Sequence, residues 1–167
     1  QFSADVAKGS VIAAVDGKGQ PLPAKYPVGG EVQFVVSLGA IPPVAGLTVA
    51  DATKALTDAG LVVGATSEEF SDSVAKGSVI SLSVPEGAVT KGTNVTLVVS
   101  KGPDLVEVPN VSGGGLDFNE AIAKLQAAGF TYSTDVDPAL FSKRTVKTQT
   151  PAAGTQAKRG SNVYISF

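Results

Sequence analysis

Residues 2–12 read FSADVAKGSVI and residues 70–80 read FSDSVAKGSVI, so nine of eleven positions recur at an offset of 68. A repeat constrains the fold more than any local propensity, because each copy must build the same small supersecondary unit. Further echoes extend it. GGEVQFVVS (29–37) returns as GTNVTLVVS (92–100), and the closing GSNVYIS (160–166) follows the same pattern. Ile41-Pro42-Pro43-Val44 returns as Val108-Pro109-Asn110-Val111, and ALTDAGL (55–61) as KLQAAGF (124–130). The 167 residues therefore divide into the second half of a repeat, 1–40, and two full repeats, 41–103 and 104–167. Length alone suggests one domain. A repeat cut in its middle instead suggests a piece of a longer protein.

Each full repeat has one internal order. Thr48 is placed as a helix N-cap with Asp51 three residues on; Ala52, Ala55, Leu56 and Ala59 follow at helical spacing, and Gly60 supplies the stop. Asp117, Glu120, Phe118, Ala121, Ile122, Leu125 and Gly129 repeat those signals, with a capping box at the start. Alternation then predicts strands: Ile80, Leu82 and Val84 on one face, Val95, Leu97 and Val99 on another, with Val163, Ile165 and Phe167 repeating the second. The expected fold is α+β, tandem small repeats, each one helix packed on a small antiparallel sheet. The half repeat lacks its helix, so its sheet face needs cover. The Pro103 junction is short and stiff, which favours an elongated array.

Composition narrows function. There is no His and no Cys, which excludes zinc fingers, thiol nucleophiles, a Ser-His-Asp triad and disulfides. A net charge of −2 with few aromatics argues against nucleic acid as a partner. The longest apolar run, Val11–Val15, is far too short to span a bilayer, so any membrane attachment lies outside this chain. The kinase signatures GxGxxG, HRD and DFG are absent. No cofactor is expected.

The I/V-P-x-V opening, the helix ending A-G-L/F, the K-G-S/T-V-I step, the P-x-(x)-G turn and the closing K-G-x-x-V-x-L-V-V-S-K-G together resemble the PASTA repeat, the penicillin-binding protein and serine/threonine kinase associated domain. The resemblance implies a non-catalytic, extracellular sensory region of a bacterial transmembrane serine/threonine kinase. In that role it binds peptidoglycan fragments (muropeptides) in the cell-wall space and promotes kinase dimerisation and activation. A structural spacer, a wall-adhesion module and the PASTA region of a penicillin-binding transpeptidase are the alternatives.

Charge is distributed unevenly. Repeat 41–103 carries a net −2, and residues 108–167 carry +2. Both arginines, Arg144 and Arg159, lie in the last repeat with Lys143, Lys147 and Lys158. A guanidinium fork suits the carboxylates of muropeptide stem peptides, so these five are candidate ligand residues; a merely solvating basic face is the competing reading. Tyr164 stands on the strand face opposite Val163 and Ile165, where it would stack on a sugar ring or pack across the strand. Phe141 is read either as a ligand contact or as core. Gly113-Gly114-Gly115 lacks the Lys-Ser/Thr of a phosphate loop, and Asp135 with Asp137 is too sparse for calcium. No metal site is expected.

Overall fold

The structure, a computed structural model, describes residues 1–135 and 144–167. Its chain forms two units, Gln1–Gly102 and Pro103–Phe167. The half repeat is an antiparallel pair, β1 (Val11–Asp16) and β2 (Val32–Val36). The middle repeat contributes α1 (Val49–Asp58), β3 (Val62–Glu69), β4 (Val79–Ser83) and β5 (Asn94–Ser100). The last repeat holds β6 (Leu105–Glu107), α2 (Phe118–Ala127), β7 (Thr131–Ser133), β8 (Thr148–Thr150), β9 (Gln156–Lys158) and β10 (Asn162–Ser166).

Both helices start and stop where their caps dictate. The Thr48 hydroxyl accepts from the Asp51 N–H at 3.2 Å and donates to the Asp51 carboxylate at 2.8 Å. At α2 the box is reciprocal: Asp117 accepts from the Glu120 N–H, and Glu120 accepts from the Asp117 N–H, both at 3.0 Å. These bonds satisfy amides that no preceding turn can reach. Gly60 and Gly129 end the helices at φ 91° and 85°, left-handed values that cost a side chain dearly. Ala52 and Leu56, one turn apart, bury one face of α1; Phe118, Ala121 and Leu125 do the same for α2.

The α+β class holds, but the sheet is mixed rather than antiparallel. In the middle repeat the order is β3-β5-β4, with β5 antiparallel to β4 and parallel to β3. The last repeat matches it as β7-β10-β8. The reason is topological. The chain reverses from β3 to β4 and again from β4 to β5, and β5 then slots between them, so it must run with β3. A second correction concerns β4. The register passes from Val79↔Val99 directly to Ser81↔Val98, leaving Ile80 as the extra residue of a bulge. The bulge breaks the alternation, so Val79 takes the core position that Ile80 was expected to share with Leu82, and Val84 is left exposed.

The half repeat reproduces that second half closely. Val11↔Val36, Ala13↔Val35, Ala14↔Phe34 and Val15↔Gln33 match the β4–β5 register pair for pair, bulge included. Its N-terminal residues enter the core of the middle repeat. Phe2 is buried among Val44, Leu56, Val89 and neighbouring side chains, and its N–H donates to the Val89 carbonyl at 2.7 Å. The core of the last repeat is separate, built on Val108, Val111, Phe118, Leu125, Phe130, Val146, Val163 and Ile165.

Candidate functional site

The outward face of the β7-β10-β8 sheet follows from strand alternation. Val163 and Ile165 point into the core, so Asn162, Tyr164 and Ser166 point away from it. Tyr132 is inward with Phe118 in edge-to-face contact at 5.9 Å, which leaves Thr131 and Ser133 outward. Thr148 and Thr150 flank the half-buried Gln149 in the same way. The result is a sheet face of hydroxyls and one amide around a central phenol. Cross-strand bonds order it: Ser133 donates to Asn162 at 2.7 Å, and the Thr148 and Ser166 hydroxyls share a proton bond at 2.6 Å. Tyr164 is 38% exposed, and its hydroxyl bonds the Asp135 carboxylate. That bond raises the phenol above the ordinary tyrosine value, with partial desolvation and the Asp135 charge adding to the shift. Such a face offers donors, acceptors and an aromatic ring to a hydroxylated ligand.

The candidate cations are not gathered in one place. Thr145 bridges to Asp117, so Arg144 lies beside the start of α2. The Lys147 N–H donates to the carbonyl of Ser166, the last residue of β10. Lys158 and Arg159 sit at the opposite end, where Gly160 bonds back to Gly129 and the chain turns into Asn162, the first residue of β10. Four strand steps separate the two ends, roughly 13 Å. All four side chains are exposed, and Lys143 lies outside the described residues, as do Phe141 and Asp137.

Arg159 is held on both its head and its stem. Its Nε donates to Asp104 at 2.8 Å, while its backbone N–H donates to the Asp104 carbonyl at 2.9 Å. Its stem crosses Gly129 so closely that a methyl placed there would meet Cγ at 3.1 Å. Lys91 crosses Gly60 at the same 3.1 Å, and the backbone bond Gly92 to Gly60 equals that of Gly160 to Gly129. Arg159 is thus the last repeat's version of Lys91, a long cation laid over the helix end. The charge count could not reveal that equivalence, although aligning the K-G and R-G steps would have.

Gln149 was missed from sequence. Its Oε1 accepts from the N–H groups of Val111 and Ser112, at 2.7 and 3.1 Å, and its Nε2 donates to the Pro109 carbonyl at 3.0 Å. It ties the opening segment of the repeat to β8. Leu82 occupies the matching register position in the middle repeat, opposite Leu97 as Gln149 is opposite Ile165, and packs by apolar contact instead. The only signal was a polar residue in a position where the strand pattern expects an apolar one. Among the described residues no group of His, Cys, Asp or Glu could hold a metal ion, and no helix is long and apolar enough to cross a membrane.

One helix on a mixed three-stranded sheet, built twice with matching caps and turns, defines a small α+β repeat. Known proteins agree on the family. The PASTA domain model matches residues 39–101 and 106–167, and the chain belongs to the PASTA domain family. It is 32% identical over 171 residues to the probable serine/threonine-protein kinase PknB of Corynebacterium glutamicum, covering 99% of this chain and 25% of the kinase. A probable serine/threonine-protein kinase of Corynebacterium efficiens is 33% identical with the same coverage. The chain thus spans about a quarter of the length of these relatives. Among solved structures, the three-PASTA-domain region of a Ser/Thr kinase from Staphylococcus aureus aligns with TM-score 0.50 and 28% identity over 75% of this chain and 65% of that one. The extracellular region of the Ser/Thr kinase PrkC from the same organism aligns with TM-score 0.54 and 21% identity over 99% and 59%, a likeness of fold.

Proposed function

We propose that this chain is part of the extracellular sensory region of a bacterial serine/threonine protein kinase, that it binds muropeptides of the cell wall, and that binding promotes kinase dimerisation. The kinase assignment is supported by similarity over 99% of the chain to the Corynebacterium kinases. The observation that carries ligand binding is the outward face around Tyr164, where hydroxyls of Thr131, Ser133, Thr148 and Thr150 surround an accessible ring. Sugar hydroxyls pair with such a face, and the ring gives the apolar side of a sugar a surface to stack on. Lys147, whose backbone bonds Ser166 at one end of that sheet, would supply a cation for stem-peptide carboxylates. A flat face of this size binds weakly, and multivalency along a polymeric wall supplies the effective strength.

The equivalence of Arg159 and Lys91 supports the spacer as a second reading, because it makes the repeats chemically more alike than their charges suggest. An NMR titration with muropeptides differing at the third stem residue separates the two. Binding is expected to shift the amides of β10 and β8, and Tyr164→Ser with Lys147→Ala to abolish the shifts, while Arg159→Lys leaves them. No shift with any muropeptide would leave the spacer.

A further inference from the structure

Two lysines of the Gln1–Gly102 unit reach one cavity from different repeats. Lys8 belongs to the half repeat, and its stem lies over Gly39, where an added methyl would meet the lysine Cβ at 3.3 Å. Lys91 belongs to the middle repeat and crosses Gly60, its Cγ 3.1 Å from a methyl placed there. Both line an open cavity of about 410 Å³ whose apolar walls include Phe2, Leu38 and Pro42. The acid on its rim, Asp58, is bonded to Lys54 at 2.7 Å, so that pair is neutral and the charges of Lys8 and Lys91 are left over. The carbonyls at the end of α1 are occupied as well: Ala55, Leu56 and Thr57 accept from the N–H groups of Ala59, Leu61 and Gly60, which blunts the negative end of the helix.

The last repeat shows how such a charge is cancelled. Its Arg159, the counterpart of Lys91, gives its Nε to Asp104. Asp104 lies in residues 104–107, which have no counterpart between Ser37 and Val44, so Lys91 has no acid in that position. Among the described residues neither the Lys8 nor the Lys91 ammonium has a hydrogen bond or an ion pair. Uncompensated cations beside apolar walls suit an amphipathic anion. Two ammonium groups without a guanidinium fork favour the tetrahedral charge of a phosphate over a planar carboxylate. We propose that this cavity binds a small organophosphate, with the phosphate between Lys8 and Lys91 and a short apolar body against Phe2, Leu38 and Pro42. The site is separate from the Tyr164 face, and its ligand bridges the half repeat and the middle repeat.

The test is an NMR titration of the whole chain with butyl phosphate, inorganic phosphate and butyrate at constant ionic strength. Butyl phosphate should shift the amides of Gly39, Ala40 and Gly60 and leave those of Tyr164 and Ile165 in place. It should bind more tightly than inorganic phosphate, which lacks the apolar body, and more tightly than butyrate, which lacks the tetrahedral charge. Lys8→Gln and Lys91→Gln, which keep the stems over their glycines, should each weaken binding about fivefold, the scale of one solvated ion pair. Lys18→Gln, in the β1–β2 turn and outside the cavity, should change nothing, and Asp58→Asn should tighten binding by removing the acid from the rim. No shift at the cavity with butyl phosphate overturns the proposal. So do equal affinities for all three anions, a preference for butyrate, and binding that survives both lysine substitutions.

Discussion

Phe2 and Phe70 open the same eleven-residue motif and meet opposite fates. Phe2 is 8% exposed in the core of the middle repeat; Phe70 is 54% exposed, with the Lys101 ammonium 4.2 Å from its ring centroid. The segments that follow explain the difference. From Ser100 to Val111 the chain is four residues longer than from Ser37 to Val44, and the additional residues are Asp104–Glu107. Three of these are β6, which pairs Val106 with Ala157 in β9. In the middle repeat the residue matching Ala157 is Val89, and there the backbone of Phe2 makes the bond. The last repeat thus brings its own leading strand, while the middle repeat takes a single backbone bond and the Phe2 ring from the half repeat before it. Linker length, not the motif, decides which phenylalanine is core.

The sharpest break of this comparison is to truncate both rings. Phe2→Ala should destabilise the Gln1–Gly102 unit by about 3 kcal/mol, as a large side chain leaves a cavity. Phe70→Ala should cost no more than about 1 kcal/mol, the scale of an exposed cation–π contact. Urea unfolding followed by NMR, unit by unit, reads both, and equal losses would refute the contrast. Next in size is Gln149→Leu, which makes the last repeat imitate Leu82. It strands the Val111 N–H and removes the donor to the Pro109 carbonyl, while the Ser112 N–H keeps Asn110 Oδ1, and it should cost the Pro103–Phe167 unit about 2 kcal/mol, leaving the other unit unchanged.

Asp104 belongs to the inserted residues, so its bond to Arg159 has no counterpart at Lys91. Both partners are substantially solvated, and Asp104→Asn should cost only about 0.5 kcal/mol in the same measurement, an amount that shrinks with added salt. The smallest effect is spectroscopic. Of the three tyrosines, Tyr164 should ionise above the ordinary tyrosine value in an ultraviolet pH titration, and Asp135→Asn should bring it down. The sign follows from the raised folded value. Whatever the Tyr164–Asp135 bond contributes is present below the ordinary tyrosine range and lost as pH climbs through the raised value.

The caps were legible because they depend on residues three or four apart in sequence, and the repeat because whole segments recur nearly unchanged farther along the chain. Thr48, Asp117, Glu120, Gly60 and Gly129 all stand where their chemistry places them. The parallel β3–β5 pair was not legible, since alternation reports a strand's faces and says nothing about its neighbour's direction. Ile80 failed for a related reason. An inserted residue shifts the phase of a strand, and only the partner strand reveals it. In the candidate site, the outward position of Tyr164 followed from period two, but its bond to Asp135 joins separate elements. Summing the charges of the last repeat suggested a single basic patch. The fold separates Arg144 and Lys147 from Lys158 and Arg159 by the length of β10, a distance absent from any count.

The burial of Phe2 has a consequence for how this array was assembled. Gene duplication copies a stretch of sequence, and the family pattern begins its first match here at residue 39. The compact unit that contains that match also takes in Phe2 and the half repeat. The unit that is inherited and the unit that folds therefore have different borders. A fragment cut at the inherited border would lose Phe2 and expose Val44, Leu56 and Val89 to water. The last repeat, carrying β6 within its own stretch, meets no such conflict. Four inserted residues are enough to turn a dependent copy into a self-contained one.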